Sequence, residues 1–197
     1  VNKAAGIKTL QDIRGKRINI GNPGSGNEAT VMVLFNQVGL GKADLALAGV
    51  LKAQYCPDAL KDQQIDGYFY MVGHPSANIG IAAESVNVEL IPLESESING
   101  MIEHYPYYIK SIIPGGLYPG VESDVPSMGV KAVLVTAEDI SDKTVRLIIK
   151  TVLDNFGYFK TVHPLLGQKA VTRESLLVGL SAPLHPAAAE YYREVGL

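Results

Sequence analysis

The sequence predicts an α/β fold: a doubly wound, mostly parallel sheet followed by a mainly helical final third. Three observations predict it. Short apolar runs alternate with stretches of helical periodicity, glycine or proline turns stand where strand gives way to helix, and beyond residue 140 Val145, Ile148, Ile149, Val152, Leu153 and Phe156 line one helical face. With 47% hydrophobic and 19% charged residues the chain is composed like an ordinary globular protein, which removes disordered and fibrous classes.

Taken in chain order, Leu10 and Ile13 ahead of Gly15 predict a one-turn helix, and residues 17–20 (Arg-Ile-Asn-Ile) a short strand closed by Gly21. Residues 21–26, Gly-Asn-Pro-Gly-Ser-Gly, form a tight turn. Ala29, Met32 and Val33 then recur at helical spacing until Gly39 and Gly41 stop the run. A strand is expected at 46–50 and a helix at 57–64. Asp66-Gly67 launches a strand at 68–72, apolar or aromatic throughout, as suits a strand covered on both faces. Gly73-His74-Pro75-Ser76 repeats the turn design ahead of a helix at 77–84, and a strand follows at 88–93. Ile98, Met101, Ile102 and Tyr105 mark a helix, residues 107–113 a strand ended by Pro114-Gly115-Gly116. The turn-rich stretch 119–127 reads as a boundary before a strand at 130–135, a long helix at 141–160 and shorter helices at 172–178 and 186–195.

Several function classes fall away. A net charge of −3 with lysines and arginines scattered singly argues against a nucleic-acid surface. No run approaches the ~18 apolar residues of a membrane span, and no basic-then-apolar start reads as a signal peptide, so an export signal is expected to lie outside this sequence. Cys56 is the single cysteine, which precludes an internal disulfide. His74, His104, His163 and His185 lack a His or Cys partner at ligand spacing, so no metal is expected, and no cofactor. His163-Pro164 and His185-Pro186 read as helix boundaries.

A glycine turn between strand and helix exposes backbone N–H groups at the positive end of the helix dipole, a site for carboxylate, phosphate or sulfate. Gly24, Ser25, Gly26 and Asn27 are the donors of that reading; the other reading is an ordinary turn with Ser25 as N-cap. No Gly-Lys-Ser/Thr follows, and 21–26 lacks the dinucleotide spacing, so the ligand need not be a nucleotide. Gly73 and His74 end a strand where ligands of open α/β sheets bind, although His74 equally suits packing or capping. Tyr68, Tyr70, Tyr107, Tyr108 and Tyr118 fall near strand ends and glycine turns, where a ring either covers a ligand or packs in the core. Ser25 is in no Gly-x-Ser-x-Gly elbow, and no hydrolytic or group-transfer constellation emerges, so no catalysis is expected. An enzyme on the same fold acting on a phosphorylated metabolite, or a non-binding interaction or antigenic fragment, are the alternatives.

From Gly6 to Leu197 the order of segments resembles the TAXI family of TRAP-transporter solute receptors. The resemblance rests on four motifs in order: residues 10–17 leading into 21–26; Ile65-Asp66-Gly67-Tyr68-Phe69 with Gly73-His74-Pro75; residues 113–120, Ile-Pro-Gly-Gly-Leu-Tyr-Pro-Gly; and residues 180–187, Leu-Ser-Ala-Pro-Leu-His-Pro-Ala. It implies a hinged, two-lobed binding fold of the class II periplasmic type, a small anionic or zwitterionic solute such as glutamate or glutamine, a membrane permease as partner and a periplasmic location. By matching position, Gly24 to Asn27, Tyr70, Gly73, His74, Gly116 and Tyr118 would line the cleft. Family members carry a further N-terminal segment that forms most of the first lobe. Residues 6–125 are therefore expected to form the second, inserted lobe, and 126–197 the hinge return and C-terminal helices of a truncated first lobe. Those helices would present an apolar surface open to self-association.

Overall fold

A computed structural model describes residues 1–167 and 171–197, in two compact units, Val1–Gly129 and Val130–Leu197. In chain order the first unit contains β1 (Arg17–Asn19), α1 (Gly26–Gln37), β2 (Leu47–Gly49), α2 (Cys56–Lys61), β3 (Gly67–Tyr68), α3 (Ala77–Ser85), α4 (Glu96–His104), β4 (Tyr108–Ile113) and all but the last residue of β5 (Val125–Val130). The first three strands form a parallel sheet of order β2-β1-β3, with Ile18 opposite Ala48 on one side and Gly67 on the other. β4 and β5 make a separate two-stranded sheet.

The alternation of β1 sets up two cores. Ile18 and Ile20 join one formed with Val31, Leu34 and Phe35 of α1 and Ile98 and Met101 of α4. Asn19, between them and only 1% exposed, takes the opposite face: its Nδ2 donates to the Leu51 carbonyl and to Cys56 Sγ, both at 3.2 Å, and its Oδ1 accepts from the Leu51 amide at 2.7 Å. A buried amide is tolerated because those partners satisfy it. On that face α2 and α3 supply Cys56, Ala59, Leu60, Ile79 and Ala82 to a second core, with Tyr118, Val121 and Val125. Each fully buried large apolar side chain contributes about 1.5–3 kcal/mol.

The winding reverses at β1. α1 carries the chain to β2 at one edge across one face, and α2 returns it past β1 to β3 across the other. Adjacent parallel strands β1 and β3 therefore release the chain at the same sheet end but toward opposite faces, which opens a crevice between their turns.

Several elements differ from the sequence-based expectation. The strand expected at 68–72 narrows to Gly67–Tyr68, plus one bond from the Phe69 amide to the Asn19 carbonyl at 2.9 Å, because the Asn27 side chain takes the next backbone groups. The stretch 88–93 is no strand: Val88 makes a single bridge to Asn2, Pro92 has no N–H, and Leu93 donates once, to the Pro126 carbonyl. The strand expected at 130–135 lies earlier, in β5, so the boundary read at 119–127 is partly strand; Pro126 is tolerated because a two-stranded sheet has only edges.

In the second unit, the helix expected at 141–160 divides at Asn155 into α5 (Asp142–Asp154) and α6 (Phe156–Phe159), and 172–178 holds only a 3-10 turn, Glu174–Leu177. Ser141 caps α5, and His185 caps α7 (Pro186–Glu194) by accepting the Ala187 amide on Nδ1. Their shared core is small: Val145, Ala187 and Ala188, flanked by Ile149 and Tyr192. Arg146 pairs with Glu190 and Glu194 and lies over the Tyr191 ring.

Candidate functional site

The crevice between β1 and β3 has two walls, and the first is the turn 21–25 with the start of α1. Gly21 is buried at φ +105, a conformation that L side chains rarely adopt, and a Cβ there would stand 2.6 Å from Asn27 Nδ2. Ser25 is the N-cap, its Oγ accepting the Glu28 amide at 3.1 Å. Glu28 folds back: one carboxylate oxygen accepts the Gly24 amide at 2.9 Å and the other accepts Lys42 Nζ at 2.7 Å. Those two contacts, the lysine first, hold its carboxyl below the usual range. Of the four expected amide donors, then, Gly24 is committed to Glu28 and Ser25 to the Asn22 carbonyl. Among the described residues no protein acceptor stands against the Gly26 and Asn27 amides.

The Asn27 side chain crosses to the other wall. Its Nδ2 donates to the Ile20 and Phe69 carbonyls, each at 3.0 Å, and its Oδ1 accepts the Met71 amide at 2.8 Å. The second wall is the segment 69–76 that leads to α3. Tyr70 and Gly73 are half-buried there, and Tyr70 packs against the α2–α3 core. The half-buried His74 lies beside Tyr118: Nδ1 is 2.7 Å from the hydroxyl, and the rings meet edge to face at 5.8 Å. That hydroxyl also accepts the Ser76 amide at 2.8 Å. Its own proton is thereby left for Nδ1, an assignment that makes His74 neutral with its proton on Nε2. Burial lowers the His74 pKa, which agrees. Burial also raises the Tyr118 hydroxyl.

The loop between β4 and β5 delivers Tyr118. Gly115 passes so close to the Glu122 carbonyl that a Cβ would lie 2.2 Å from its oxygen, and its amide donates to Asp124 Oδ1 at 2.9 Å. Gly116 donates to the Val121 carbonyl at 2.8 Å, so its amide serves the loop itself. The structure thus brings Tyr118 to His74 and Ser76, and Asn27 to Phe69 and Met71. It assigns the Gly24 and Gly116 amides to internal contacts. Tyr108 is buried in the α1–α4 core, and Tyr68 donates to Asn78 Oδ1 at 3.1 Å.

Sequence reading missed Glu28, Lys42 and Asn19. The Ser25-x-x-Glu28 spacing is the sequence signal that could have found Glu28, although its carboxylate takes the Gly24 amide rather than that of the N-cap; Lys42 and Asn19 have no local signal. The Cys56 thiol, buried on the far face, is pushed up to about 11 by burial. Among the described residues no three His, Cys, Asp or Glu side chains gather to hold a metal, and no helix is long and apolar enough to cross a membrane. A family model described as the NMT1-like family matches residues 1–196.

Proposed function

The chain belongs to the NMT1-like family, a periplasmic-binding-protein-like family of solute-binding proteins, and on that premise we propose that it is an extracytoplasmic receptor for a small carboxylate or amino acid such as glutamate or glutamine. In this reading the solute lies in the β1–β3 crevice. The amides of Gly26 and Asn27 hold a carboxylate at the positive end of α1, and the Tyr70, Gly73, His74 and Tyr118 wall faces it across the gap. One observation carries the proposal: the winding of the sheet reverses at β1, and the open amides stand at that reversal. The receptor hands its solute to the membrane subunits of a TRAP-type transporter. The apolar side chains that the second unit exposes, Leu134, Val135, Leu147 and Tyr158 among them, support a surface covered by another protein or by a second copy.

Calorimetric titration with a panel of amino acids and dicarboxylates tests this. Saturable binding of glutamate or glutamine, weakened when Gly26 is replaced by proline to remove one amide, is the expected outcome. Silence across the panel overturns the receptor reading.

A further inference from the structure

We infer that Asn27 is a positioning residue: its side chain fixes the spacing between the two walls of the crevice, so that solute affinity is set in part by a group that need not touch the solute with that side chain. The inference rests on the receptor reading above. Two parallel strands as short as β1 and β3 share few ladder bonds, and β3 stops after Tyr68. Beyond that point the walls are joined by the Asn27 carboxamide, which spends both Nδ2 hydrogens on Ile20 and Phe69 and Oδ1 on Met71.

The chemistry requires asparagine. Aspartate offers no donor and would set a carboxylate against two carbonyl oxygens, and alanine leaves all three backbone groups unpaired. Gly21 completes the device, because any larger residue there would push the carboxamide aside. Met71 is only three residues before His74, so the bracket also places the His74 turn opposite the start of α1.

Asn19 supplies the control. Its side chain makes the same kind of bracket on the other side of β1, to Leu51 and Cys56, while only its backbone carbonyl, which Asn19→Ala retains, meets Phe69.

The test compares Asn27→Ala, Asn27→Asp and Asn19→Ala with the parent chain by amide hydrogen exchange and by glutamate titration. Both Asn27 variants should exchange faster across 69–76, and Asn19→Ala should do so across 51–56 instead. Glutamate affinity should fall about tenfold in Asn27→Ala if the correctly spaced state drops to about a tenth of the population, and change less than about twofold in Asn19→Ala. Unchanged exchange across 69–76 in both Asn27 variants, or an equal rise there in Asn19→Ala, overturns the inference. If Asn27→Ala does not fold, the isosteric Asn27→Asp decides alone. If the parent chain binds no glutamate, the receptor reading fails on that arm while the exchange arm still decides whether Asn27 sets the spacing.

Discussion

At the scale of single residues, two glycines of the same turn should behave oppositely. Gly21→Ala forces a side chain into a left-handed backbone and against Asn27, and should destabilise the chain by about 2 kcal/mol or more in urea unfolding. Gly26→Ala, at the first helical position with nothing near its Cβ, should be neutral or stabilising by about 0.4–1 kcal/mol. Tyr118→Phe strips the partner from the Ser76 amide and His74 Nδ1, and should cost about 1–3 kcal/mol. NMR titration should place the His74 pKa below the ordinary 6.5, because burial disfavours the charged ring. In the parent chain the lowered value means that the unfolded state takes up the proton first. The neutral ring imposes no penalty above pH 6.5, and stability falls as pH drops through 6.5 toward the lower folded value. The sequence displayed the glycines, His74 and Tyr118 as candidates. It concealed the pairing, because 44 positions separate His74 from Tyr118 and no periodicity links them.

At the scale of elements, α1 was legible almost to its ends because a serine cap and a glycine just past the last turn both act locally. Glu28→Gln probes that terminus. With its carboxyl held below the usual range, Glu28 contributes stability above pH 4.5 that is lost as pH falls through the lower folded value, so the variant should lose part of the acid limb of the stability profile. Strands were harder to read. Residues 17–20 and 46–50 stood out because short apolar runs between turns fit a central parallel strand. Residues 88–93 carry equal β propensity but find only a single bridge, to Asn2 at the start of the chain, and only tertiary pairing could reveal that. The early end of β3 has the same origin: the competitor for its backbone groups is a side chain from a different helix.

At the scale of the molecule, the two large cores lie entirely within the first unit, whereas the described residues of the second unit form one small cluster, Val145, Ala187 and Ala188, with Leu153 and Tyr191 buried outside it. Residues 1–129 expressed alone should therefore unfold cooperatively, whereas 130–197 alone should show no sharp transition by circular dichroism. Cys56 turns the larger unit into its own reporter. As the lone thiol of the chain, sealed beneath Asn19 and protonated well above neutral pH, it can meet an alkylating reagent only when α2 lifts from the sheet. The labelling rate therefore clocks how often that side of the protein breathes, one event per molecule, without any added probe.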